Sequence, residues 1–119
     1  MNIEEFRDYC IAKKGVEETF PFDKVTLVFK VLGKMFALTS LDDTDFSVNL
    51  KCKPEYAEEL REKYLSIKPG YHMSKKHWNT IEIFKNEVPD SLIKELIDLS
   101  YRLVVEKLPK NQQNLLNEL

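Results

Sequence analysis

The segment GYHMSKKHWNTIEIF, residues 70–84, brings together side chains that could bind a metal ion, a phosphate group or a nucleobase. It contains both histidines of the chain, His72 and His77, two adjacent lysines, Lys75 and Lys76, and the only tryptophan, Trp78. Imidazole is a ligand for zinc, copper and iron, lysines neutralise phosphates, and His and Trp rings pack on sugars and bases. This segment is therefore the first candidate for a functional site.

A metal centre is the less favoured interpretation of the two histidines. His72 and His77 are five residues apart across a predicted turn, but a structural zinc ion needs four ligands. Neither Cys10 nor Cys52 is near them in sequence, and no third ligand is apparent. We therefore expect no bound metal and no cofactor, and we expect the histidines to brace the turn.

Nucleophilic catalysis also finds little support in the sequence. Cys10 and Cys52 each fall on the apolar side of a predicted element, the position of a small buried hydrophobic residue. The chain has three glycines, and it contains no GxSxG, Walker or GxGxxG motif. We expect the protein not to be an enzyme and both thiols to be reduced.

Two groups of carboxylates could attract a hard cation. Glu4, Glu5 and Asp8 lie on the outer side of the first predicted helix. The sequence DDTD at residues 42–45 has suitable ligand types, but it lacks the glycine and the final glutamate of an EF-hand loop. A solvated helix face and a surface turn are the simpler explanations.

Composition predicts one domain, residues 1–119, with its charges segregated along the chain. Hydrophobic residues make up 43% of the 119 residues, the net charge is −2, and no apolar run is long enough to span a membrane. Lys24 to Ser40 and Lys68 to Trp78 contain lysines and no acid, which permits a local anion-binding face. Two distant cysteines and an acidic start favour a reducing cytoplasm. We also expect a monomer.

Periodicity predicts the element order αβββαββα. Helices are expected at residues 2–13, from Pro54 onward, and from Pro89–Asp90 to Leu108; strands are expected at 25–32, 34–40, 46–52, 66–73 and 78–84. Turns fall at 32–34 and 74–77. Residues 110–119 are expected to form a polar tail whose one apolar cluster, Leu115, Leu116 and Leu119, is compatible with a single docked turn. The fold class is α+β, an antiparallel sheet of about five strands covered by helices on one face.

The segment around the histidines resembles a known family. PGYHMSKKHWNTIEI is similar to the P-x-x-H-x-x-K-x-H-W segment of the MmcQ/YjbR family of small bacterial proteins. Further similarity lies in YCIAKKGVEETFPF, FKVLGKMFAL, VPDSLIKELIDLSYRLV and LPKNQQNLLNEL. The resemblance therefore runs over nearly the whole chain.

The resemblance implies a fold like that of CyaY, the bacterial frataxin, and a DNA-binding role with two β-hairpins acting as wings. On double-stranded DNA the implied contact residues are Lys34, Lys75, Lys76 and His77, and the family's structural positions are Pro69, His72, Trp78, Gly33 and Phe36. A regulatory role is compatible with this interpretation. The alternatives are a protein- or ligand-binding module without DNA affinity, and weak frataxin-like cation binding by the acids of the first helix.

Overall fold

The computed structural model describes residues 1–119 and shows a six-stranded antiparallel sheet with helices packed on it. The helices are α1 (Ile3–Ile11), α2 (Pro54–Lys63), α3 (Asp90–Glu106) and α4 (Lys110–Asn117), with a 3₁₀ turn at Ile83–Lys85. The strands are β1 (Val16–Thr19), β2 (Thr26–Val31), β3 (Lys34–Ser40), β4 (Val48–Lys51), β5 (Ile67–Pro69) and β6 (Trp78–Ile81). Their spatial order is β1-β2-β3-β4-β6-β5, which confirms the α+β prediction.

Helix starts follow from local chemistry. Asn2 caps α1: its side chain accepts from the backbone N–H of Glu5, while the Glu5 side chain accepts from that of Asn2. Pro54 opens α2, where the N–H that proline lacks would have no helical partner. Asp90 places a negative charge in the first turn of α3.

Alternation along the strands gives the sheet two different faces. One face carries the main core, which includes Phe29, Leu50 and Ile81 and receives Phe6 from α1 and Ile97 from α3. The other face carries a smaller cluster to which no helix contributes: Val28, Leu38 and Trp78, with Met35 and Met73 packed against it. We call this second surface the helix-free face.

The structure differs from the sequence prediction at both ends of the chain. β1 is a sixth strand, hidden in the sequence because VEET at residues 16–19 has two acids and is only partly buried at the sheet edge. Residues 110–119 form more than a polar tail with one docked turn: α4 spans Lys110–Asn117 and buries Leu116 in the main core. None of the helices has both the length and the apolar character of a membrane span.

Candidate functional site

The register of the sheet places both predicted hairpin tips at the same end of the molecule. Lys34 begins β3 directly after the β2–β3 turn, and β4, antiparallel to β3, ends at Lys51 on that side. Lys51 is opposite Trp78, the first residue of β6, and the loop at residues 70–77 precedes it. The turn at 32–34 and the loop at 70–77 therefore project from one sheet end, which we call the basic end.

The acidic loop lies at the other end of the sheet. Residues 41–47 join the end of β3 to the start of β4, where Thr39 is opposite Val48. Asp42, Asp43 and Asp45 are exposed there. The register separates these carboxylates from Lys34 and Lys75, whereas Asp43 lies over the same sheet face as residues 71–74 of the loop.

Lysines at the basic end have no carboxylate partners. No salt bridge involves Lys34, Lys51, Lys53, Lys75 or Lys76, whereas Lys13, Lys68 and Lys85 each pair with an acid elsewhere. Burial, together with nearby Lys107, lowers the pKa of Lys51. This end therefore carries uncompensated positive charge that an anion would stabilise.

Lys53 and Lys76 differ from the other lysines of the basic end, because both line a shallow depression at the start of α2 together with Glu55 and Glu59. No ion pair forms between these lysines and these carboxylates. We therefore expect Lys76 to attract phosphate less strongly than Lys34 or Lys75.

The loop at residues 70–77 is held by Arg61 of α2, and the predicted bracing by the histidines is wrong. The Arg61 guanidinium donates to the backbone carbonyls of Lys75 and Trp78, the latter at 3.2 Å, and to Asn79 Oδ1 at 2.7 Å. Neither imidazole makes a hydrogen bond within the chain; the His72 ring lies 4.0 Å from the Tyr71 ring. The tight turn that was predicted at residues 74–77 is therefore part of a longer loop.

Backbone conformation explains why the loop starts as it does. A Cβ at Gly70 would lie 2.8 Å from the Cβ of Trp78, so no other residue fits without movement. His72 has a φ of 58°, in the left-handed region. The N–H of Tyr71 donates to Thr80 Oγ1 at 2.9 Å and pins the loop to the sheet.

The first hairpin has a tight turn in which Leu32 and Gly33 both have positive φ, 46° and 84°. This is the type I′ pattern, whose twist matches that of the strands. Lys34 is exposed beside it. Phe36 is fully buried at an irregularity of β3, where its carbonyl accepts from Ser100 Oγ at 2.5 Å.

The remaining predicted positions lie around the loop at residues 70–77, which we also call the second loop. Pro69 ends the edge strand β5, a place where a missing N–H is tolerated. His77 is partly buried, and its carbonyl accepts from the N–H of Cys52 at 2.8 Å. Trp78 is 7% exposed and packs in the helix-free cluster, not in the main core.

A groove of about 780 Å³ runs over the helix-free face, and sequence reasoning did not anticipate it. Leu38, Trp78 and Thr80 line it from the sheet, and Phe22 and Tyr71 line it from loops. Asn49 also lines it, and Asn49 Oδ1 accepts from the hydroxyl of Thr80. The alternation of β6 indicated which face these residues share, but nothing in the sequence indicated that the loops enclose a groove.

Other candidate chemistry is dispersed. Cys10 and Cys52 are free and buried, as predicted, and burial raises their thiol pKa values to about 12 and about 11. No group of three or more His, Cys, Asp or Glu side chains is arranged to hold a metal ion. Among the acids of α1, Glu5 accepts a hydrogen bond from the backbone N–H of Asn2 and so forms part of the helix cap.

Similarity to known proteins agrees with the motif around the second loop. The model of the family described as YjbR matches residues 11–103, most of the chain. The chain belongs to the YjbR family. It is 36% identical to the uncharacterized protein YjbR of Escherichia coli K12 over 119 residues, the full length of both, and 43% identical to the uncharacterized protein YbdF of Escherichia coli O157:H7 over 82% of this chain and 80% of that one.

Two solved structures show the same fold. A crystal structure of a Deinococcus radiodurans protein with a DUF419 domain superposes with a TM-score of 0.90 at 42% identity, covering 98% of this chain and 88% of that one. A Pseudomonas syringae protein superposes with a TM-score of 0.73 at 30% identity, covering 87% and 98% of the two chains. Membership of the YjbR family thus comes with a shared architecture, while the names of these relatives assign no activity.

Three residues important to the site were missed from the sequence: Arg61, Asn79 and Asn49. Arg61 looked like an ordinary charged residue on the exposed side of α2, yet it holds the second loop. Asn79 is 3% exposed in β6. An amide side chain between Trp78 and Thr80 in a predicted strand could have indicated a hydrogen-bonded position inside the fold, because buried polar groups are normally paired. Asn49 lies between buried Val48 and Leu50, so the alternation along β4 indicated only that its side chain lies on the opposite face of the sheet.

Proposed function

We propose that this YjbR-family protein binds double-stranded DNA through its basic end, without catalysing a reaction. The observation that carries the proposal is the placement of the turn at 32–34 and the loop at 70–77 at one sheet end, with Asp42–Asp45 at the other. Exposed Lys34 and Lys75 have no carboxylate partners there. Phosphate groups would supply the missing negative charge.

The spacing of the two tips suits a duplex. The β2–β3 pair and the β6–β5 pair are separated by β4, so their centres are three strand positions apart. Neighbouring strands are about 4.8 Å apart, which puts the tips roughly 14 Å from one another. This is close to the ~12 Å width of the DNA major groove, so the tips could reach the phosphates on its two sides.

The chemistry of the tips favours phosphate contact over base reading. Lysine ammonium groups bind phosphate as point charges and carry little sequence information. Arg61, the nearest guanidinium, already donates to Asn79 and to backbone carbonyls. We therefore expect modest affinity, little sequence preference and strong dependence on salt.

The test compares two double variants of equal charge by fluorescence anisotropy with a labelled duplex of about 20 base pairs. Lys75→Ala/Lys76→Ala removes two charges from the basic end, and Lys24→Ala/Lys63→Ala removes two exposed, unpaired charges from the opposite end. Only the first should weaken binding at low salt. Because each phosphate contact contributes about −0.9 to the slope of log K against log salt, that slope should become shallower by up to about 2.

Two results would reject the proposal. One is the absence of measurable duplex binding by the wild-type protein at low salt. The other is an equal loss of affinity in the two double variants, which would show that total charge, not the basic end, governs association. Far-UV circular dichroism of each variant checks that folding is retained.

A further inference from the structure

The groove on the helix-free face carries an inference separate from DNA binding. We infer that it binds a small, uncharged, flat aromatic molecule that carries a carbonyl oxygen. Four features of the groove support this inference: its size, its aromatic border, one unpaired hydrogen-bond donor and a lining without lysine or arginine.

Size and floor suit a small aromatic ligand. The volume of about 780 Å³ lies within the ~300–1,000 Å³ typical of small-molecule sites. Leu38 and Trp78 line the groove from the sheet, and Met35 and Met73 pack beside them. Methionine side chains adapt to ligand shape and make favourable contacts with aromatic rings.

Exposed aromatic rings border the groove. Phe22, in the loop before β2, is 64% exposed, and Tyr71, after β5, is 69% exposed. Neither ring contributes to the two buried clusters. A flat ligand that stacked on them would remove apolar surface from water, which the folded chain alone does not do.

Asn49 supplies a donor whose orientation is determined by its neighbours. Thr80 Oγ1 accepts from the N–H of Tyr71 at 2.9 Å, so its own hydroxyl hydrogen is free to be donated. That hydrogen goes to Asn49 Oδ1, which leaves the Asn49 Nδ2 group facing outward. Asn49 Nδ2 has no acceptor within the chain, and a ligand carbonyl would satisfy it.

The charge of the lining selects against anions. No lysine or arginine lines the groove, whereas the carboxylate of Asp43 does. A carboxylate or phosphate in the groove would therefore meet an acid and no ammonium or guanidinium group. An uncharged ligand avoids that repulsion.

The test uses 2-quinolinone as the probe and naphthalene, which has a similar bicyclic shape but no hydrogen-bond acceptor, as its chemical control. Two-dimensional nitrogen–proton NMR reports directly on the site, because Trp78 is the only tryptophan and gives a single indole cross-peak. We expect 2-quinolinone to shift that peak and a side-chain amide pair that is missing in Asn49→Asp. We expect naphthalene to bind at least about tenfold more weakly, since one lost hydrogen bond of about 1.4 kcal/mol corresponds to a factor of ten in affinity.

Variants separate the donor from the stacking surface. Asn49→Asp can still accept from Thr80 but cannot donate to a carbonyl, so it should lower the affinity for 2-quinolinone about tenfold or more and leave naphthalene binding little changed. Phe22→Ala and Tyr71→Ala should weaken both probes. Leu65→Ala, which removes an 84% exposed side chain outside the groove, is the matched control and should bind both probes as the wild type does.

Several outcomes would overturn the inference. They are an unmoved Trp78 indole peak at millimolar 2-quinolinone, equal affinity for naphthalene, and full affinity for 2-quinolinone in Asn49→Asp. Peaks of the groove that shift with protein concentration in the absence of a probe would also overturn it, because they would show that a second copy of the chain covers the face. DNA binding by the basic end is measured separately and can succeed or fail without affecting this result.

Discussion

Arg61 Nε lies 2.7 Å from Asn79 Oδ1, and this hydrogen bond joins α2 to β6 beneath the loop at residues 70–77. The Asn79 amide also lies 3.4 Å from the carbonyl of Ala57, and the guanidinium reaches the carbonyl of Lys75. One charged side chain thus connects a helix, a strand and a loop. The position of Lys75 depends on this connection.

We predict that Arg61→Lys loosens the loop. A lysine cannot donate in the fixed fork of a guanidinium, so the carbonyls of Lys75 and Trp78 lose their donor. The free energy of unfolding should fall by about 1–3 kcal/mol. Hydrogen exchange should accelerate at the amides of His77 and Trp78, both of which donate to the Ser74 carbonyl.

Arg102→Lys is the matched control, because Arg102 is exposed on α3 and makes no hydrogen bond or salt bridge within the chain. It should leave exchange in the loop unchanged. Equal exchange in Arg61→Lys and the wild type would contradict the bracing role of Arg61.

Two glycines with positive φ should differ in their tolerance of alanine. At Gly33, φ is 84° and a Cβ would meet nothing within 4 Å, so only backbone strain of about 1–2 kcal/mol is expected. At Gly15, φ is 72° and a Cβ would lie 2.5 Å from Leu116 Cδ1, so crowding of about 1–3 kcal/mol is added. Urea unfolding of Gly15→Ala and Gly33→Ala measures the difference.

A double-mutant cycle identifies the crowding. In a Leu116→Ala background the neighbouring methyl group is absent, so Gly15→Ala should cost about as much as Gly33→Ala does. An unchanged cost for Gly15→Ala in that background would show that the contact with α4 is unimportant.

The parts of the fold that were predictable from sequence are those in which local chemistry agrees with packing. Gly33 between two β-rich runs marked the first hairpin, and Pro54 marked the start of α2. β1 was not predictable because its pairing with β2 supplies the stability that VEET lacks locally. α4 was missed because Leu116 is buried against distant parts of the chain.

The candidate site was predictable in position but not in construction. The segment around Lys75 and Trp78 was found because its residue types are unusual. The role of Arg61 depends on α2 lying beside β6, a relationship between residues 17 and 18 positions apart that no spacing rule gives. The groove similarly depends on Phe22 and Tyr71 meeting over one face of the sheet.

Both cysteines should react slowly with thiol reagents in the native protein. Burial raises the thiol pKa of Cys10 to about 12 and that of Cys52 to about 11, so little of the reactive thiolate is present at pH 8. Cys10 is 0% exposed and Cys52 4% exposed, so Cys52 should react first. Labelling kinetics with a disulfide reagent, with and without urea, test this; immediate labelling of both native thiols would contradict it.

Acid should destabilise the protein through carboxylates with depressed pKa values. The hydroxyl and N–H of Ser66 lower the pKa of Glu87, and the Arg7 guanidinium lowers that of Glu18. A depressed native pKa means that the unfolded chain binds protons first as the pH falls. The stabilisation is therefore complete above the unfolded value of about 4.3 and is lost as the pH falls further, through the lowered native values.

Urea unfolding at pH 7, 5, 4 and 3 measures this dependence. Glu87→Gln should lower stability at pH 7 and make little difference at pH 3, so its stability should vary less with pH than that of the wild type. Glu58→Gln, on the exposed side of α2, provides the reference for the loss of one surface charge. A Glu87→Gln curve parallel to the wild type at every pH would contradict the prediction.

Trp78 should be a structural requirement for every binding measurement. Its side chain is 7% exposed and packs with Val28 and Leu38, and its carbonyl accepts from Gly70 and Arg61. Trp78→Ala should lower the free energy of unfolding by about 3–5 kcal/mol, the usual cost of removing a buried aromatic ring.

Trp78→Phe keeps a ring in the same cluster, so it should unfold at a urea concentration between those of Trp78→Ala and the wild type. Its duplex affinity should equal that of the wild type, because the phosphate contacts proposed for Lys34 and Lys75 do not involve the indole. A loss of DNA affinity in a folded Trp78→Phe variant would instead assign the indole a direct contact with DNA, and the proposed role of the basic end would then have to include the helix-free face.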